Sequence, residues 1–208
     1  MTDGSGQLSF DAGDEAHTVL VPGLRYIANW LDSDACQETL SQIEDAEWSA
    51  ELRRRVQHYG HRYDYGRRSV TAGPQTTAGA PPLPPWALQQ AARLAREGFM
   101  DQEADQVIIN EYQPGQGISP HVDCVPCFGP VVAAISLGSG CVMDFTHPNN
   151  GTKVEVYLAP GSLCVMTGPA RYDWRHSIAA RKSDPGPGAR IPRSRRVSLT
   201  FRTVLSPA

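Results

Sequence analysis

The heptapeptide HVDCVPC, residues 121–127, holds two metal-site signatures at once: a His-x-Asp (His121, Asp123) and a Cys-x-x-Cys (Cys124, Cys127). Residues i and i+2 of a strand project to the same face, so His121 and Asp123 at a strand end would stand side by side. One more histidine from a distant strand completes the two-histidine, one-carboxylate set that holds iron(II) on one side and leaves coordination positions open. His176, in RYDWRH, is available for that role. His17, His58, His61 and His147 are less convincing, lying in the leader, in a basic segment and in a turn. The cysteines read differently, because a structural zinc site wants four protein ligands and no second pair at zinc-finger spacing accompanies them. They read first as loop residues beside the metal, with a zinc site or a redox pair as alternatives. Cys36, Cys141 and Cys164 are scattered, the last two in apolar runs where buried free thiols are common.

The segment RRVSLTFR supplies a second kind of chemistry. Arg196 and Arg202 stand an even number of residues apart, so a strand would turn both to one face with Ser198 and Thr200 between them. Two inward arginines are costly unless they meet an anion, and a dicarboxylate would serve, since guanidinium pairs bidentately with carboxylate. The competing reading is an edge strand with both arginines exposed and Val197, Leu199 and Phe201 inward; periodicity alone leaves both open. Asn110 and Tyr112 form a further i, i+2 pair suited to a carboxylate or keto group.

The elements that must position these residues follow from periodicity. A helix is predicted around 34–46 with Asp34 as its cap and Ala35, Leu40 and Ile43 towards one face, and a second over 86–100 begins after Pro84 and Pro85. From residue 105 the apolar period becomes two. The runs 105–114, 131–148, 152–168 and 195–204 read as strands broken by PG, GSG and NNG turns. A helical start followed by many short strands predicts an antiparallel barrel or a double-sheet jelly roll braced by helices. Residues 181–195 read as a flexible loop, and 71–85 as a Pro/Gly-rich link.

The chain has 208 residues and a net charge of −3, enough for one generous domain. Residues 1–51 carry −10 and residues 52–208 carry +7, so the main body is mildly basic, as a phosphate-binding protein would be; a solvated surface with an acidic tail is the simpler alternative. Residues 1–16 read as a disordered acidic leader, with 17–208 as the folded domain. No targeting sequence or membrane-spanning run is visible. The expectation is a cytoplasmic monomer whose cysteines stay reduced.

NEYQPGQGISPHVD, SLGSGCVMDFTHP, VMTGPARYDWRH and RRVSLTFR together resemble the AlkB family of Fe(II)- and 2-oxoglutarate-dependent dioxygenases, nearest the branch that contains the AlkB domain of AlkB homologue 8. The resemblance covers about 20–204. It implies an α+β, mainly β, double-stranded β-helix with N-terminal helices and a nucleotide-recognition lid at about 53–70. His121, Asp123 and His176 match the family's iron ligands, and Asn110, Tyr112, Arg196, Ser198 and Arg202 its 2-oxoglutarate contacts, Arg196 taking the distal carboxylate. The implied reaction, with O₂, is oxidative demethylation of N-alkylated bases in DNA or RNA, that is, repair of alkylation damage, with single-stranded nucleic acid as the partner. The alternatives are hydroxylation of a modified tRNA wobble uridine and a non-catalytic nucleic-acid-binding module. Tyr59, Arg62, Tyr63, Tyr65 and Arg67 are the candidate substrate contacts, the tyrosines to stack and the arginines to meet phosphate. The same segment also reads as an amphipathic hairpin whose tyrosines pack on the core. The position of the lid aromatic of the known repair enzymes falls within Arg53–Arg55, and Val125 stands where they carry an acidic residue.

Overall fold

A computed structural model describes residues 17–18, 21–50, 52–70 and 79–205. The acidic leader 1–16 and most of the Pro/Gly-rich link lie outside the described residues. In chain order the first elements are β1 (His17–Thr18), β2 (Leu24–Ile27), α1 (Ser33–Glu44), β3 (Val56–Tyr59), β4 (Tyr63–Asp64), β5 (Ser69–Val70) and α2 (Pro85–Arg96). The β-rich part follows with β6 (Gln106–Tyr112), β7 (Ile118–His121), β8 (Phe128–Gly138), β9 (Cys141–Thr146), β10 (Lys153–Leu158) and β11 (Leu163–Met166). It closes with α3 (Gly168–Tyr172), β12 (Arg175–Ile178), β13 (Ser183–Asp184), β14 (Ile191–Pro192) and β15 (Arg196–Val204). No helix among the described residues is long and apolar enough to cross a membrane.

The strands form a jelly roll of two antiparallel sheets. The larger runs β1-β2-β11-β8-β15-β6-β3 and the smaller β10-β9-β12-β7. The apolar runs 131–148 and 152–168 each split in two, because Gly138 takes φ 75° and Gly161 φ 76°, turns that an L side chain resists. The interior between the sheets is filled by Val132, Cys164 and Met166 from the larger sheet against Met143, Phe145 and Val156 from the smaller. The outer face of the larger sheet is covered by α1 and α2, whose Ile43, Ala87, Ala91 and Leu94 pack on Val107, Ile109, Ile135, Val197, Leu199 and Phe201.

That second layer resolves the ambiguity of β15. Val197, Leu199 and Phe201 are fully buried under the helices, while Arg196, Ser198, Thr200 and Arg202 are buried on the opposite face. Both faces of this central strand are inside: the arginines point inward, the edge-strand reading with exposed arginines fails, and only its apolar inner face survives.

Three expectations need correction. Helix α1 starts at Ser33, and its cap is Asp32, whose Oδ1 accepts from the Ala35 N–H at 2.8 Å, rather than Asp34, which lies in the first turn. The segment 181–195 is no open loop: β13 and β14 pair as a hairpin, because buried Asp184 draws in Arg193 (2.5 Å) and Arg181 (2.7 Å). Cys124 and Cys127 are joined as a disulfide, while Cys36, Cys141 and Cys164 are free. The three-residue spacing brings the two Cα atoms to 5.2 Å, within bonding reach.

Candidate metal and co-substrate site

Strand β7 ends at His121, and β12 lies beside it with His176 directly opposite. Asp123 follows in the turn after β7. The ligand atoms of these three side chains all lie within 4.8 Å of one another. His121 turns its Nδ1 to the Ser119 carbonyl at 2.8 Å, which leaves Nε2 facing Asp123 Oδ1 at 3.5 Å. His176 Nε2 stands 3.9 Å from the same oxygen. The other carboxylate oxygen is occupied: Arg202 Nε donates to Asp123 Oδ2 at 2.9 Å. Asp123 is thus divided, one oxygen for its positioning arginine and one for a cation.

The protonation states suit a metal. Burial would raise the Asp123 carboxyl, but Arg202 and the two histidines overcome it and hold the group well below the usual carboxylate range. Burial pushes His176 down to about 4, so it stands as the neutral imidazole that a metal requires. His121 is a third exposed, which leaves the set open on one side.

The loop 123–129 is held by Arg171 from α3. Its buried guanidinium donates to the carbonyls of Asp123 (2.9 Å), Cys124, Phe128 and Gly129 (each 3.3 Å). Phe128 in turn stacks under the Arg202 guanidinium at 4.7 Å.

A second cluster of polar side chains lies along β6 and β15, where Ser198 stands in register with Asn110 on one side and Ser136 on the other. Arg196 is buried there beside the Tyr112 ring (5.4 Å) and donates from Nη2 to Ser136 Oγ at 2.9 Å. Its Nε and Nη1 are buried and form no hydrogen bond among the described residues. Such orphaned N–H groups on a buried cation fit a ligand carboxylate, because a charge left so would otherwise be strongly unfavourable. Arg202 differs: with Asp123 and Gln106 (3.3 Å) as partners, it positions the metal aspartate and has no comparable vacancy.

The segment preceding the site contributes residues that spacing could have identified. Val56 and His58 of β3 pair with Asn110 and Ile108, on the site face of the sheet, and counting back by two reaches Arg54, whose Nε donates to Asn110 Oδ1 at 2.9 Å. Tyr59 falls on the other face. It is buried among the helix-side core, edge-on to Trp86 and bonded to Gln57, and so is not available to a substrate; the sequence expectation for it was wrong by one residue of register. Tyr63 and Tyr65 do gather at the site. Tyr63 packs against Phe128 (5.6 Å) and edge-on to Tyr65 (5.2 Å), and the Tyr65 hydroxyl lies 3.3 Å from His58 Nε2. Arg62 is half-buried at the start of this β4–β5 hairpin, and Arg67 is exposed at its tip, loosely paired with Asp64 at 3.9 Å. Arg171 left no trace in the sequence, since a side chain that donates to main-chain carbonyls has no periodic partner.

Comparison with known proteins agrees with this geometry. The family model described as the 2OG-Fe(II) oxygenase superfamily matches residues 23–202. The uncharacterized protein L905 of Acanthamoeba polyphaga mimivirus is 34% identical over 88% of this chain and 85% of its own length. The Xenopus tropicalis tRNA (carboxymethyluridine(34)-5-O)-methyltransferase alkbh8 is 34% identical over 89% of this chain but only 32% of its own, so the chain spans about a third of that relative. The Bos taurus mitochondrial alpha-ketoglutarate-dependent dioxygenase alkB homolog 7 is 33% identical over 83% of this chain and 75% of its own. Among solved structures OsALKBH1 shares the fold, with a TM-score of 0.66 at 18% identity over 89% of this chain and 99% of that one. The chain therefore belongs to the 2OG-Fe(II) oxygenase superfamily as an AlkB-family dioxygenase that uses Fe(II) and 2-oxoglutarate, on the branch that includes the ALKBH8 proteins.

Proposed function

We propose that this dioxygenase oxidises an alkyl substituent on a base of single-stranded nucleic acid, and that His121, Asp123 and His176 hold its iron while Arg196 receives the distal carboxylate of 2-oxoglutarate. The observation that carries the reading is the aromatic cluster joined to the metal set through Phe128 and Arg202, in which Tyr63, Tyr65 and His58 pack together beside the Arg54 cation. Aromatic faces with a neighbouring guanidinium are what an unstacked base would meet. A base that reaches such a metal set must be flipped out of a duplex or already unpaired.

When bound, iron and 2-oxoglutarate supply the oxidising chemistry on O₂, with succinate and CO₂ as co-products. The chain's own part is positional. Arg202 fixes the Asp123 carboxylate and Arg171 its main-chain carbonyl, Ser119 fixes the His121 ring, and the buried Arg196 orients the co-substrate. Tyr63 and Tyr65 would hold the base, and Arg62 and Arg67 would meet backbone phosphates. On an N-methylated base, hydroxylation of the methyl carbon leads to loss of formaldehyde and restoration of the base.

A second reading, hydroxylation of a modified tRNA uridine, is favoured by the 34% identity to a tRNA (carboxymethyluridine(34)-5-O)-methyltransferase. Both readings are tested by incubating the protein with Fe(II), 2-oxoglutarate and O₂ on three substrates and weighing the products. These are single-stranded DNA and RNA carrying one 1-methyladenine, and tRNA bearing modified wobble uridines. Methyl loss from either oligonucleotide supports demethylation, and a gain of one oxygen on tRNA supports the second reading. Succinate formed without change to any of them refutes the nucleic-acid reading while leaving the oxygenase intact.

A further inference from the structure

Arg53, Arg54 and Arg55 run into β3, and alternation sends them to different places. Arg53 is exposed, and its carbonyl accepts from Gln116 Nε2 at 2.8 Å. Arg55 goes to the helix side, where Nε and Nη2 clamp the Glu111 carboxylate at 2.6 and 2.7 Å over the Trp48 ring. Arg54 goes to the site side. Its guanidinium sits 5.9 Å from the rings of both Tyr65 and Tyr112, between hairpin and sheet.

Arg54, like Arg196, is held in the structure by neutral partners alone. Nε is bonded to the neutral Asn110 amide, and among the described residues no carboxylate lies within ion-pair distance of it. Arg202 has Asp123, and Arg196 already answers for a carboxylate of the co-substrate. At 5.9 Å the two ring contacts are at the outer limit of a useful cation–π attraction. The free end of the guanidinium is a planar fork of N–H donors, the shape that takes an oxyanion bidentately.

We infer that Arg54 is a specificity-determining residue that pairs with an oxyanion of the nucleotide being oxidised. Two sources share that chemistry: a carboxylate ending the base's own substituent, and the phosphate beside that base. The inference rests on the nucleic-acid reading above and names what it selects.

The test uses full-length wild-type, Arg54→Gln and Arg54→Lys proteins with four RNA oligonucleotides. They carry 5-carboxymethyluridine, its methyl ester, 1-methyladenine, or 1-methyladenine flanked by uncharged methylphosphonate linkages. Binding to the iron-free proteins is read by fluorescence anisotropy, and KM for 2-oxoglutarate on the iron-loaded ones. A charge-assisted pair predicts that Arg54→Gln weakens binding about 10- to 100-fold, with Arg54→Lys retaining most of the affinity. A loss confined to the carboxymethyl strand assigns the carboxylate, and a loss on every strand except the methylphosphonate one assigns the phosphate. Equal binding by wild type and Arg54→Gln on all four strands overturns the inference, as does a change seen only in KM for 2-oxoglutarate. If the wild type binds none of the four, the nucleic-acid reading fails first and the inference falls with it.

Discussion

Replacing Glu111 by Gln should destabilise the protein by an amount that depends on pH in a calculable way. Glu111 lies on the helix side of β6, 3% exposed, with Arg55 at 2.6 Å and Arg195 at 2.5 Å. The hydrogen bond from Arg55 leads, burial opposes it, and Arg195 adds to it, so the carboxyl is held down from 4.5 to about 2. A depressed carboxylate contributes stability that is complete above its unfolded value and is lost as pH falls through the folded one. At 1.36 kcal/mol per unit, the contribution is about 3 kcal/mol near pH 7 and about 1 kcal/mol near pH 3. Urea unfolding of wild type and Glu111→Gln across that range should give curves that converge towards acid. Two curves that stay parallel would show that Glu111 is not held ionised by these arginines, and the reasoning would be wrong. The pair also matters to the site, because Arg55 anchors the chain immediately beside Arg54. The variant should therefore lose substrate affinity even at a urea concentration where it remains folded.

Arg196→Met should leave the co-substrate-free protein as stable as wild type or more so, because a buried cation with orphaned N–H groups is removed. The same change should raise KM for 2-oxoglutarate about tenfold or more and abolish the rise in melting temperature that 2-oxoglutarate gives wild type; an undiminished rise would refute the assignment. Arg202→Met should cost about 3–5 kcal/mol in urea unfolding by leaving Asp123 buried and unpaired, and adding Asp123→Asn should recover much of it. A double variant no more stable than Arg202→Met would count against the pairing.

Much of the site was legible because β-structure writes itself into sequence with period two. Arg196 and Arg202, Asn110 and Tyr112, and His121 and Asp123 were found by that rule, and the structure brings all six together with His176. The rule failed where the face was ambiguous. In β3 a one-residue change of register exchanges Tyr59 for His58, and nothing local in VQHY says which face meets the helices. The hairpin 181–195 was hidden because its cohesion is a buried carboxylate between two arginines, while its composition of Gly and Pro is that of a loop. The disulfide was missed because the expectation of a reducing compartment outweighed the three-residue spacing. Arg171 lay beyond any reading of pattern, since its partners are peptide carbonyls that every residue possesses.

That last property has a consequence for how the metal-bearing loop can vary. Because Arg171 grips oxygen atoms of the main chain at residues 123, 124, 128 and 129, and the Cys124–Cys127 disulfide and the Phe128 ring close the same turn, its shape does not depend on the side chains at 125 and 126. The positions between, including the exposed Val125, form a cassette that can be exchanged without moving the metal carboxylate. Grafting foreign residues into 125–126 is thus a way to change the exposed surface beside Asp123 while the carboxylate stays in place.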